Sequence, residues 1–249
     1  MIADHEVKGR DRATSHARLR LTGALLLLTV VFALLGSWQV QRLFWKLDLI
    51  ARVEARVHAQ PMPAPARAEW NEISREKDEY RRVTATGAFS HEKSVLVQAV
   101  TERGAGFWVL TPMLREDGSA VLVNRGFVPS DRRDVGDRAG GELAGNVTVT
   151  GLLRISEPGG AFLRSNDPAR DRWFSRDVAA IAAAKGLQDM APYFIDADAT
   201  PNPGGLPIGG LTIVRFRNSH MVYALTWFAL ATMSAAGAYL VYRKRIKAG

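Results

Sequence analysis

Hydrophobic and polar positions fall into two patterns along this chain. A long apolar run without charge lies near each end, and short alternating runs punctuated by turn residues lie between. Arg20 and Arg42 bracket the first apolar run, Leu21 to Gln41, which begins LTGALLLLTVVFALLG. As a helix rising ~1.5 Å per residue, that run reaches about 31 Å, the thickness of a hydrocarbon core. The second uncharged run lies between Arg217 and Arg243, and its apolar part, Met221 to Tyr242, is again long enough to cross. Gly237 and the small residues Ala229, Ala231, Ser234, Ala235, Ala236 and Ala238 suit close packing against another helix. The pattern predicts transmembrane helices over 21–41 and 218–242, with 42–217 on the side of the membrane opposite both termini. A cleaved signal peptide is the alternative for the first run. That run is long for the role, and no clear A-x-A site follows it.

The central segment opens on QPMPAPARA (60–68), a Pro/Ala-rich linker expected to be extended rather than packed. From Tyr80 onward, YRRVTATGAF, SVLVQAV, GFWVLTPML, AVLVNRGFV and NVTVTGLLRI are β-branched and aromatic runs bounded by turn residues. EDGS at 116–119 is a hairpin turn between two of them. Asp177 to Gly186 reads as a short helix with an acidic start and a glycine stop, and YFIDAD (193–198) as a further strand. Strands following strands with one late helix predict an α+β chain. Its extracytoplasmic domain is an antiparallel β-sheet or barrel-like structure with a short helix, flanked by two transmembrane helices.

Charge settles the direction of the spans and removes one class of partner. Of the net +8, residues 1–20 contribute +2 and the tail Arg243, Lys244, Arg245 and Lys247 contributes +4. The basicity is mostly terminal, so it reports orientation and predicts no nucleic-acid footprint. The basic tail (243–249) places both ends in the cytoplasm, or in the matrix of a mitochondrion, by the positive-inside bias. Arg42, Lys46, Arg52 and Arg56 follow the first span, but long domains translocate largely regardless of charge. With no cysteine, the chain forms no disulfide, CxxC redox pair or thiolate metal site.

Catalytic machinery is hard to find: there is no G-x-S-x-G elbow, H-E-x-x-H pair or P-loop. The glycines at 204, 205, 209 and 210 read as a flexible turn leading into the second span. Asp196 and Asp198 alternate in a strand, which places them on its solvated face rather than at a cation. Histidines at 5, 16, 58, 91 and 220 form no local cluster. The unusual groups sit in the spans. Trp38, Arg42 and Trp45 share one face of the first helix if it persists, and His220, Tyr223 and Trp227 share a face of the second. Both rows fall near the outer headgroup level. Aromatic anchoring accounts for Trp38, Trp45 and a snorkelling Arg42. His220 gains little as an anchor, and its neutral imidazole is a competent iron ligand, so spacing alone leaves both roles open.

Four segments, LGSWQVQRLFWK (35–46), YRRVTATGAF (80–89), VLVNRGFVP (121–129) and NSHMVYALTWF (218–228), resemble the surfeit locus protein 1 family in order and position. Phe127 departs from the tryptophan often found there. The resemblance implies a non-enzymatic factor in the assembly of haem-copper cytochrome c oxidase, delivering haem a to the catalytic subunit. It implies His220 as the haem-iron ligand, with Trp38, Gln39 and Arg42 from the first-span motif and Tyr223 and Trp227 beside it. Arg42 then pairs with a haem propionate. The partners implied are the catalytic subunit, the lipid bilayer and haem a synthase, and the location is a bacterial inner membrane with a periplasmic central domain. A scaffold that stabilises the nascent catalytic subunit by helix packing, without haem, is the alternative.

Overall fold

The computed structural model describes residues 2–161, 163–214, 216 and 218–246, with side chains from His16 to Lys244. It divides into two compact units, one built from both chain ends and one from Arg52–Val214.

The end unit is a pair of helices, α1 (Ile2–His58) and α5 (His220–Ile246). Helix α1 does not stop where its uncharged run stops, because LFWKLDLIARVEARVH contains no proline or glycine to break it. Over His16–His58 and His220–Lys244 both helices are long and apolar enough to cross a membrane. Only 11% and 17% of their most apolar windows are buried within the protein. A soluble core helix would be buried there, whereas Leu26, Leu27, Leu34, Leu225 and Met233 are exposed.

The other unit is strand-rich. It contains β1 (Met62–Pro63), α2 (Arg75–Asp78), β2 (Arg82–Phe89), β3 (Val95–Thr101), β4 (Gly104–Leu114) and β5 (Ala120–Pro129). There follow α3 (Val135–Arg138), β6 (Asn146–Ile155), α4 (Val178–Ala184) and β7 (Met190–Ala197). The sheet order is β1-β2-β6-β7-β5-β4-β3, and an added β2–β4 pairing, Ala88 with Leu114 and Phe89 with Met113, closes it into a barrel. Every strand predicted from the alternating runs is present, and Arg115–Ser119 turns the β4–β5 hairpin. The pairings β1–β2 and β5–β7 are parallel rather than antiparallel. For β5–β7 the long crossover through β6 and α4 makes that possible.

Two apolar layers form. Val83, Met113, Val121, Val123, Leu153, Tyr193 and Ile195 point to one side of the sheet. Leu110, Leu122 and Phe194 point to the other, where Trp173 and Val178 and Ile181 of α4 cover them. Strand β5 is therefore buried on both faces, which explains its nearly unbroken apolar run. The Asp177 side chain caps α4 by accepting from the Ala180 N–H at 3.1 Å.

Three expectations are corrected here. First, the 60–68 segment is extended but packed: it supplies β1, Ala64 and Pro65 are buried, and the Ala64 N–H donates to the Thr84 carbonyl. The Pro65 carbonyl accepts from the Tyr193 hydroxyl (2.9 Å), Arg115 (3.1 Å) and the Trp70 indole (3.4 Å). Proline lacks a donor but keeps its acceptor, and the barrel uses it. Second, Asp196 is not solvated. It is buried, accepting from Asn124 (2.7 Å), Arg154 (2.8 Å), Thr212 (2.9 Å) and Arg176 (3.2 Å). Its face of β7 is the second core layer, and the two guanidiniums compensate the buried charge. Burial opposes the charge on Arg154, but Asp196 and Glu79 outweigh it and hold Arg154 above the usual guanidinium range.

Third, the glycine segment is pinned rather than flexible. Phe127 and Ile208 exchange two backbone hydrogen bonds of 2.9 Å, and Asn202 donates to the Pro207 carbonyl at 2.6 Å. Gly126 explains the VLVNRGFVP motif: its φ is +135°, and a Cβ there would fall on the Ile208 carbonyl. Next to it the buried Arg125 donates to the Gly141 carbonyl, to Asn202 (3.0 Å) and to Nδ1 of His91 (3.3 Å). Burial lowers Arg125 to about 10, partly offset by Glu142.

Burial pushes the Tyr193 phenol up to about 12 from 10. The folded state thus holds this proton more tightly than the unfolded chain. The associated stability is complete below pH ~10 and lost as pH rises through ~12, about 3 kcal/mol in all. Urea midpoints of the wild type are expected to fall across that window, with the Tyr193→Phe variant lacking this component; equal slopes for both would contradict it.

Candidate functional site

The helix pair is built on a seven-residue repeat. On α1, Thr22, Leu25, Thr29, Phe32, Gly36, Gln39 and Leu43 are buried or half-buried; on α5 the matching positions are His220, Ala224, Trp227, Ala231, Ser234, Ala238 and Val241. Alternate steps of three and four residues keep one seam of each helix facing its neighbour. Alanines at 224, 231 and 238 and Gly36 let the backbones approach; a Cβ on Gly36 would lie 2.8 Å from the Phe228 ring. The helices run antiparallel: Leu25 lies by Gly237, the Phe32 ring stacks on Trp227 at 5.6 Å, and Lys46 lies 4.8 Å over Phe216.

At one level of this seam the packing turns polar. His220 Nδ1 lies 2.8 Å from the Gln39 side-chain oxygen. That oxygen only accepts, so Nδ1 carries the hydrogen, and the neutral form of the ring presents its lone pair at Nε2. The same division holds a metal-ligating imidazole in orientation, one nitrogen donating to a neighbouring oxygen and the other free to ligate. The start of α5 is fixed as well: the Asn218 side chain accepts from the His220 N–H at 3.4 Å.

Of the predicted residues, the structure therefore brings Gln39 and His220 together, keeps Trp227 on the same seam two turns along against Phe32, and separates the others from the seam. Trp38, Arg42, Trp45 and Tyr223 are exposed, and the Arg42 guanidinium lies 4.0 Å over the Trp45 ring. The shared face of Trp38, Arg42 and Trp45 is thus real but points away from α5. Tyr223 likewise leaves the face of His220 and Trp227. Arg42 follows Gln39 by three residues, as Tyr223 follows His220, so each is turned by about 60° to the same hand from the paired residues. In an antiparallel pair those positions fall on one flank. Trp38 and Trp45 lie further round on that flank of α1. Among the described residues, the result is an apolar, ring-lined surface that carries the Arg42 guanidinium, beside an imidazole whose Nε2 has no hydrogen-bond partner. Among the described residues, no group of three or more His, Cys, Asp or Glu side chains forms a metal cage.

Two end helices apolar enough to cross a membrane, with a closed β-domain encoded between them, fit a membrane protein of the barrel class. Residues 26–232 match the SURF1 family model, and the chain belongs to that family. It is similar to human surfeit locus protein 1, 38% identical over 246 residues that cover 91% of this chain and 78% of the relative. The rat protein of the same name is 39% identical, covering 86% and 72%. A SURF1-like protein of Monosiga brevicollis is 36% identical, covering 89% and 87%. These relatives are eukaryotic, and a bacterial membrane is not what they indicate.

Proposed function

We propose that this chain is an assembly factor for haem-copper cytochrome c oxidase that holds haem a as cargo and passes it to the catalytic subunit. The observation that carries the reading is the Gln39–His220 pair, which leaves Nε2 of an oriented imidazole available to iron. The flank beside it supports the same reading: Trp38, Trp45 and Tyr223 offer rings to a flat apolar macrocycle, and Arg42 offers a guanidinium to a propionate. Haem supplies the redox chemistry only after transfer; this chain binds, orients and releases it, and catalyses no reaction of its own. Helices α1 and α5 both cross the membrane, with the basic ends on the cytoplasmic or matrix side and the barrel on the opposite side. Haem a synthase is the source of the cargo.

The test is purification from cells that make haem a. A haem a absorption spectrum is expected in the purified chain, with oxidase lacking catalytic-subunit haem accumulating when the chain is removed. A chain that carries no haem a but still stabilises the catalytic subunit would replace this reading with a packing scaffold.

A further inference from the structure

The barrel unit carries a broad cleft of about 910 Å³ that the proposed function does not use. Its floor is Leu96 of β3, Phe107 of β4 and Trp173, and its walls come from 133–142, 170–174 and Lys185. Five cations line it, Arg133, Arg138, Arg170, Arg172 and Lys185, against Glu92, Glu142 and Asp171. Two cations are already engaged: Lys185 pairs with Asp171 at 2.9 Å and Arg170 with Asp167 at 3.4 Å. Both ring nitrogens of His91 are already engaged, one 3.0 Å from the Leu143 carbonyl and the other 3.3 Å from the Arg125 guanidinium.

Among the described residues the remaining three make no close ion pair, although Glu142 lies near enough to Arg138 to favour its charge. Arg133 lies 5.5 Å over the Phe107 ring and Arg172 5.9 Å over Phe174, so both guanidiniums rest on aromatic faces. Arg138 Nε is buried with no hydrogen-bond partner, and burial lowers the affinity of that guanidinium for its proton. A buried donor left without a partner is unfavourable, and an anion toward which the side chain turned would satisfy it. Three separate forks do not match one small anion. They match a chain that presents carboxylates in series, each taken by a guanidinium through paired hydrogen bonds. The volume also exceeds what a single carboxylate or phosphate fills and lies near the top of the ~300–1,000 Å³ pocket range.

We infer that this cleft is a docking site for an acidic, Asp/Glu-rich segment of a partner protein, read by Arg133, Arg138 and Arg172. The full chain in neutral detergent is titrated into a fluorescein-labelled 12-residue peptide of alternating Asp, Glu and Gly, and anisotropy is followed. Saturable binding is expected, weakening with added salt and absent for the Asn/Gln version of the peptide. Replacing Arg133, Arg138 and Arg172 together by Gln is expected to weaken binding at least tenfold, whereas Arg103→Gln on the β3–β4 turn leaves it unchanged. A photo-crosslinking form of the acidic peptide tests the wild type directly, whatever the variants do to folding. Crosslinks at Leu96, Val135 or Phe174 support the site, and crosslinks elsewhere overturn it. No saturable binding overturns it too. So does binding only to phosphatidylglycerol vesicles with the same arginine dependence, which would make a lipid headgroup the ligand.

Discussion

Replacing His220 by alanine is expected to cut the haem a recovered with the purified chain to below about a tenth of wild type, leaving yield and helix content unchanged. The residue is half-buried in a seam made mostly of small and apolar groups, and among the described residues its side chain pairs there with Gln39. The second arm of the experiment acts on that partner. Gln39→Leu keeps the volume, removes the oxygen and frees the imidazole to turn, for which losses of about 10- to 100-fold in affinity are typical. Imidazole added to His220→Ala is expected to restore the haem a spectrum, since it replaces the missing ligand without repairing any packing. Haem a retained equally by His220→Ala, with an unshifted Soret band, would remove His220 as the ligand.

The pairing behind that prediction was only half legible in the sequence. Placing Trp38, Arg42 and Trp45 on one face used the helical period correctly, but the period does not say which face meets a neighbour. The signal that does was present in the alanines at 224, 231 and 238, one every seven residues, which mark the seam of α5 and leave Tyr223 outside it. Gln39 was named only through the family motif. Its link to His220 spans 181 positions and has no local trace.

The barrel shows the same division between local and distant information. Alternating β-branched runs gave its strands because a half-buried surface selects for them locally. Strand β1 was missed because MP within QPMPAPARA has no alternation to read; it is held by backbone hydrogen bonds and by the Pro65 carbonyl, neither visible in side-chain type. The parallel β5–β7 pairing is set by the crossover, and a list of strands does not encode it. Asp196 was placed on a solvated face because alternation assumes that one face of a strand meets water. Helix α4 and Trp173 cover that face.

The second large effect follows from that correction. Asp196→Ala is expected to destabilise the barrel unit by about 3 kcal/mol, from the lower part of the ~3–5 kcal/mol range for breaking a buried ion pair. The side chain is 1% exposed, against 12% for Arg154 and 14% for Arg176, so water screens none of the three well. Removing the carboxylate leaves two guanidiniums facing each other across the vacated site, with the Asn124 amide and Thr212 hydroxyl also unpaired there. The loss stays below the top of the range because each guanidinium keeps other carboxylate contacts: Glu79 at 2.9 Å and Glu157 at 3.5 Å hold Arg154, and Glu157 holds Arg176 at 2.6 Å. Asp196→Asn, which retains the shape and one acceptor oxygen, should fall between wild type and alanine. Urea unfolding of the full chain in detergent, followed through the far-ultraviolet strand signal, measures both. A shift of under ~1 kcal/mol for Asp196→Ala would mean that the arginines find solvent or other partners when the carboxylate is gone, and that the barrel does not depend on this charge.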